Sequence, residues 1–517
     1  SEGKDLIRFF CKPCSPTVAN GGRTRNLPSH DPERWTAFKA YNRRDVETEL
    51  AIQAKLAKFP LPDSLWREYH QDQEIDDRGV ALDMALVTQA IAADQRSRTE
   101  LGLQMQALTE LENPNSILQM KKWLSDNGLD TESLGKKAIA DLLKTAPEPL
   151  GRVLALRQQL AKSSVRKYQA MAHAVCQDGR ARGTIQFYGA NRTGRYSGRL
   201  IQIQNLPKNN LPNLEQAREL LHSGNYEALE LLYDSIPDVL SDLIRTAFIP
   251  KPGCRFIVAD FAAIEARVIA WLAGEQWKLD IFAGDGKIYE ATAARMFQVP
   301  IQSVTKGSLL RQKAKQAELA CGYGGSVGAL KAMGALDMGL TEDELQPLVN
   351  AWRAANPNIV RLWWAFDKAV LTAVRDRTVT ETHGIRFTCQ SGMLFMTLPS
   401  GRRLCYVKPR IEKNTFGSDC ITYEGIGSTK KWERIDSYGP KFVENIVQGI
   451  SRDILCHAMQ SLRDTAIVMH IHDELVIEAE PQLSVADVCR RMAKTPPWAP
   501  GLVLRVDGFE ADFYRKN

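Results

Sequence analysis

The chain has 517 residues, of which 44% are hydrophobic and 25% charged, and carries a formal net charge of +6. That length exceeds one core and predicts about two to four domains of ordinary globular composition. No run is apolar for long enough to cross a bilayer and the first residues carry no signal-peptide pattern, so a cytoplasmic protein without membrane contact is expected.

The small positive excess is compatible with nucleic acid but does not identify a partner. Ten cysteines are scattered without the spacing of a disulfide framework, which points to a reducing setting. Cys11 and Cys14 form a C-x-x-C, half of a zinc ligand set, and no second pair follows at knuckle spacing.

In chain order, the first segment is loop-like, and Asp31-Pro32-Glu33 reads as a helix start. A charged helix follows from about 33 to 58, and KFPLPDS reads as a linker. From Leu65 to about Val175 the periodicity is helical. ALVTQAIAADQRSRTELGLQMQALTELE forms a long amphipathic stretch there, and NPNS at 113–116 ends it with a cap for the next helix. FYGANRTGRYSGRLIQIQNLPKNN is rich in Gly, Arg and Asn. RFIVADFAAIEARVIAWLAGE is a short apolar strand, an Asp and a helix. Helical patterns run from about 278 to 375, strand-like sequence from about 379 to 435, and a helix from about 441 to 465. The order fits an α+β protein whose small sheet carries charged residues at its strand ends.

The stretch IVMHIHDELVIEAE reads as two short strands with His472, Asp473 and Glu474 at the tip between them. It is either a charged surface turn or a site where a cation offsets the cost of burying carboxylates. Asp260 ends the strand Phe256-Ile257-Val258-Ala259 and alone could cap the next helix. Together, Asp260 and Asp473 can converge on adjacent strands, where like charges need a cation. Magnesium suits carboxylates and substrate phosphates, and two ions roughly 3.5–4 Å apart would clamp a phosphoryl transfer.

Arg311, Lys315 and Leu319 share one helix face. Their cations suit a triphosphate, the alternative being a solvated basic face. Gly322 and Gly324 around Tyr323 would let a base pair approach closely. Arg192, Arg195 and Arg199 suit backbone and minor-groove contacts to a duplex, the alternative being a solvated loop.

D-x-x-x-I-E-x-R at Asp260–Arg267, R-x-x-x-K-x-x-x-x-x-x-x-Y-G at Arg311–Gly324 and H-D-E at His472–Glu474 resemble motifs A, B and C of family A DNA polymerases, the bacterial DNA polymerase I family. The resemblance is closest to the bacteriophage branch. Thr193-Gly194-Arg195 and Gln448-Gly449 also match, so it spans roughly Leu65 to the end of the chain.

The resemblance implies a right hand within 61–517: thumb about 85–185, fingers about 275–425, palm from the rest. Asp260 and Asp473 would hold two Mg²⁺ ions, with Mn²⁺ as an alternative. Arg311 and Lys315 would grip the incoming triphosphate, Lys315 also protonating pyrophosphate. Glu265 with Tyr323 would exclude a ribose 2′-hydroxyl. Arg195 and Gln448 would read the minor-groove side of the primer-terminal pair, His472 would support the primer end, and Glu474 would assist. The implied partners are primer–template DNA and dNTPs, the implied state a monomer, and the implied setting phage or prophage replication.

Two positions depart from the family pattern. Leu319 stands where better-known members carry a stacking Phe or Tyr, and Tyr289 where many carry a triphosphate-contacting His. In 1–60, Tyr41 to Asp45 resembles the last exonuclease motif, Y-x-x-x-D. The two earlier motifs that complete that carboxylate cluster do not appear, so an exonuclease remnant without proofreading is expected. Competing readings are an HD-type phosphohydrolase, a non-catalytic DNA-binding scaffold, and a single-subunit RNA polymerase or reverse transcriptase.

Overall fold

The computed structural model describes residues 2–336, 338–427 and 429–516. It forms two compact units, 1–69 and 70–517. The sequence placed a boundary near residue 60, in the KFPLPDS linker. The division instead falls inside helix α3 (Asp63–Arg78), because Gln71, Asp72 and Ile75 in its second half are buried.

In the smaller unit, α1 (Glu2–Cys11) lies near α2 (Pro32–Leu56). The start of α2 is as read: the Asp31 carboxylate accepts from the Arg34 backbone N–H at 3.0 Å, and Pro32 occupies the first turn. Leu6 and Phe10 are buried, and Phe10 stacks on Phe38 at 5.5 Å and meets Trp35 edge-on at 5.2 Å. α2 itself buries no residue, and its Val46, Leu50, Ile52 and Leu56 are exposed.

In the larger unit, the helices Met84–Thr109, Ile117–Asp126, Lys136–Leu143 and Leu150–Leu160 contribute to a separate core that includes Met105, Met120, Leu124, Ile139 and Val153. NPNS acts as predicted, with Ser116 capping the second of them through the Gln119 N–H.

The main core is built around a four-stranded antiparallel sheet. Its strands are β1 (Arg255–Phe261), β2 (Ile467–Ile471), β3 (Glu474–Ala479) and β4 (Val506–Ala511), in the spatial order β2-β3-β1-β4. Every residue of β2 and β3 is buried, which explains why the hairpin's flanks read as continuous apolar runs rather than alternating ones. The helix α4 (Ile264–Ala273) follows β1, and α8 (Gly439–Ser461), buried along most of its length, packs near α4. Between them come α5 (Ile288–Phe297), α6 (Leu309–Cys321) and α7 (Pro357–Asp376). A six-stranded antiparallel meander then runs from Thr380 to Ser437, where strand-like sequence was expected. Among the described residues no helix is long and apolar enough to cross a membrane.

Candidate active site

Sheet register brings the acidic residues together. Asp260 on β1 pairs with Glu474 on β3 and with Asp507 on β4, so three carboxylates lie in one row across the sheet. The tip of the β2–β3 hairpin adds Asp473, and the Asp473 carbonyl accepts from the Phe261 N–H at 3.2 Å. His472 takes a left-handed φ of 58° in that turn, a conformation more accessible to His than to most residues.

Burial and the neighbouring Asp473 charge push the Asp260 carboxyl up to about 6, against the opposing pull of Lys516. Burial likewise raises Asp473 and Glu474 above the ordinary carboxylate range. Asp260 Oδ1 is buried and has no hydrogen-bond partner, the condition of an oxygen suited to a cation. Among the described residues no group of three or more His, Cys, Asp or Glu is arranged to hold a metal. Any ion at Asp260 and Asp473 would therefore take much of its shell from water or substrate oxygens, the habit of magnesium. At the other end of the chain, Cys11 is exposed and the half-buried Cys14 thiol donates to the Arg23 carbonyl at 3.4 Å.

A cavity of about 480 Å³ opens beside the acidic row, and Arg195, Glu265, Tyr289, Leu319, Tyr323, His472 and Asp473 all line it. Glu265, in the first turn of α4, accepts from the Tyr323 hydroxyl at 2.6 Å and from Arg195 at 2.5 Å. The pairing expected of Glu265 and Tyr323 is thus present. Arg195, expected to face a duplex, is engaged with Glu265.

Glycine explains the local backbone. Gly194 has φ +75°, and a Cβ there would sit 2.6 Å from Arg402 Nη1 and 2.7 Å from the Tyr188 ring. Gly324 was expected to leave room for a base pair. The room is taken by Pro440 at the start of α8, whose side chain a Cβ would meet at 2.6 Å.

On α6, Arg311 and Lys315 lie near the Tyr289 ring, at 5.4 and 5.7 Å from its centroid. Lys315 is exposed, whereas Arg311 is already ion-paired with Glu290 at 2.6 Å. Leu319 is 50% exposed at the cavity wall. Five predicted residues fall outside that lining: Arg311, Lys315, Arg192, Gln448 and Asp260. Arg192 packs its guanidinium on Tyr406 and Tyr423, each at 4.3 Å, and donates to the Cys405 carbonyl. Gln448 donates to Glu444 on its own helix at 3.3 Å. Asp260 lies in the acidic row.

Several partners were missed by the sequence reading. Glu318 on α6 is paired with the fully buried Lys278 and accepts from Trp352 Nε1 at 2.8 Å and Thr292 at 3.4 Å. Arg267 of the D-x-x-x-I-E-x-R motif is buried, donating to the carbonyls of Ala262, Phe282 and Val503. The one available signal was a charged residue inside an otherwise apolar helical face, and it carries no partner's address.

Comparison with known proteins gives a consistent result. A family model described as DNA polymerase family A matches residues 87–497. A DNA polymerase of Bacillus phage SP02 is 52% identical over 521 residues, covering 100% of this chain and 80% of that protein. DNA polymerase I of Pseudomonas aeruginosa is 29% identical over 255 residues, covering 48% of this chain and 23% of that protein. In fold, the chain is similar to the POL domain of Pol1 from M. smegmatis, solved in complex with DNA primer-template and dNTP. That match has a TM-score of 0.62 at 18% identity and covers 99% of this chain and 78% of the other. The α+β polymerase fold expected from the sequence is the fold found.

Proposed function

The chain belongs to DNA polymerase family A, a DNA-directed DNA polymerase of the phage-like branch, and on that premise we propose that the cavity beside Asp260 and Asp473 is where a deoxynucleotide is joined to a primer 3′-hydroxyl opposite a template. The observation that carries this reading is the buried, unpartnered Asp260 Oδ1, with the neighbouring Asp473 lining that cavity.

Asp260 and Asp473 are the residues that would hold divalent magnesium, two ions in this reading. When bound, such ions would favour the 3′-alkoxide and neutralise charge on the phosphates. The chain's own residues supply positioning. Arg311 and Lys315, both near the Tyr289 ring, bind the triphosphate, and Arg311 exchanges Glu290 for a phosphate oxygen. Lys315, exposed and cationic, donates the proton to departing pyrophosphate. Glu265, held by Tyr323, fills the space of a ribose 2′-hydroxyl. Leu319 offers an apolar contact to the base without aromatic stacking. Arg195, His472, Gln448 and Arg192 serve the primer–template, with Arg195, Gln448 and Arg192 each exchanging a present partner for it.

The helices around Met105 form the thumb, 275–425 the fingers, and the four-stranded sheet with α8 the palm. In 1–60, Tyr41 and Asp45 lie one turn apart on α2. That supplies one carboxylate to a chemistry that needs a cluster. A role in phage DNA replication follows from the kinship.

Primer extension on a DNA template with dNTPs and Mg²⁺ tests the reading. Extension by the parent that vanishes in Asp473→Ala supports it. Tight primer–template binding without extension by the parent would make the protein a scaffold.

A further inference from the structure

The acidic row has a cation that none of these roles uses. Lys516 Nζ lies 3.8 Å from Asp260 Oδ2 and 3.6 Å from Glu474 Oε2. The segment that follows β4 delivers it through several anchors. The Tyr514 N–H donates to the Phe248 carbonyl at 2.9 Å. The fully buried Tyr514 places its hydroxyl between Arg245, which donates at 2.5 Å, and Glu474, which accepts at 2.6 Å. The Lys516 N–H donates to Asn209 Oδ1 at 3.2 Å. The ammonium is thus held in place beside the carboxylates rather than swinging free.

It also divides the Asp260 carboxylate. Oδ2 faces Lys516, and Oδ1 is the buried oxygen without a partner. Glu474, only 2% exposed, gains from Tyr514 and Lys516 the hydrogen bond and counter-charge that a buried carboxylate requires.

We propose that Lys516 is a tethered counter-cation of the polymerase site, a positioning residue that neutralises the Asp260 Oδ2–Glu474 edge and thereby weakens divalent-ion binding at Asp260 Oδ1 and Asp473. The inference rests on the assignment of Asp260 and Asp473 as metal ligands. Its consequence is a site that survives without metal and binds it loosely enough to exchange as nucleotides come and pyrophosphate leaves. Electrostatics set the direction: a fixed positive charge this close repels a second cation and stabilises the empty carboxylates.

The test is Mn²⁺ binding followed by electron paramagnetic resonance, on the full chain without DNA or nucleotide, together with thermal melting in EDTA and in Mn²⁺. The proteins are the parent, Lys516→Met, Lys516→Arg and Asp473→Asn. Lys516→Met keeps the stem and loses the charge. It should bind Mn²⁺ on the order of tenfold more tightly, a contact discounted for the partial exposure of the ammonium. It should also melt lower than the parent in EDTA and gain more from Mn²⁺, and Lys516→Arg should restore parental behaviour in both. Lys516→Gln gives the same comparison if the Met variant does not fold. Parental Mn²⁺ affinity in the neutral variants, with binding impaired in Asp473→Asn, overturns the role of Lys516 and leaves the metal assignment standing. Parental binding in Asp473→Asn overturns the assignment itself.

Discussion

Glu265 accepts from two donors of different exposure, and a double-mutant cycle with Tyr323 separates them. The Tyr323 hydroxyl donates at 2.6 Å, and burial, reinforced by the Glu265 charge, holds that phenol's pKa well above its ordinary value. The Arg195 and Glu265 side chains are 30% and 34% exposed. Glu265→Ala leaves the shielded phenol without an acceptor, at a cost of about 1–3 kcal/mol. Loss of the more exposed ion pair adds up to about 1 kcal/mol. Tyr323→Phe removes the same hydrogen bond from the other side and leaves Arg195 in place, costing about 1 kcal/mol. Because both changes delete one shared bond, the double variant should fall short of their sum by about 1–2 kcal/mol. Urea unfolding of the four proteins measures this. Strict additivity would refute the bond, and with it the idea that Tyr323 holds the gate. The same proteins report on sugar selection. In single-turnover assays the ratio of ribonucleotide to deoxynucleotide incorporation should rise at least about tenfold in Glu265→Ala, while Glu265→Gln stays close to the parent.

Three further expectations concern the frame around the site. Burial, followed by the charge of Asp72, pushes the Asp76 carboxyl from 3.8 to about 7. The folded state therefore favours the protonated acid, and the parent should lose stability as pH rises from about 4 to about 7. Asp76→Asn should flatten that profile by about 1–2 kcal/mol after allowance for partial exposure, read by urea unfolding at pH 5 and pH 8; an unchanged slope contradicts it. Gly194→Ala places a Cβ against Arg402 and Tyr188 at positive φ and should cost about 2–3 kcal/mol, while slowing incorporation because Arg195 shifts. Glu318→Gln leaves Lys278, 0% exposed, without its counter-charge and should cost about 3–5 kcal/mol by thermal or urea unfolding. The paired change Lys278→Met with Glu318→Gln should recover most of that loss.

What could be read in the sequence had a local signature. Asp260 after an apolar strand, the H-D-E stretch at the turn between two wholly buried strands, and the i, i+4, i+8 face of α6 each had a local pattern, and His472, Asp473 and Leu319 from two of them line one cavity. Asp31 and Ser116 announced their helices for the same reason, since a cap is a local interaction. What could not be read depends on partners far away in the chain. Nothing near Arg192 points to Tyr406 and Tyr423, and nothing near Glu318 points to Lys278 or Trp352. Lys516 looks like one more surface lysine until β4 carries its segment back beside Asp260. Gly324 was expected to admit a base pair, and only the tertiary structure shows that Pro440 approaches there instead.

The central claim is that Asp260 and Asp473 act in the chemical step rather than in holding the duplex. Single-turnover incorporation of one dNTP by Asp260→Asn and Asp473→Asn tests it most directly, with primer–template affinity measured on the same samples. Both variants should bind DNA within a few-fold of the parent and incorporate at least about a thousandfold more slowly, some 4 kcal/mol of lost transition-state stabilisation. Parental incorporation rates in either variant, or a loss accounted for entirely by weaker DNA binding, would contradict the account.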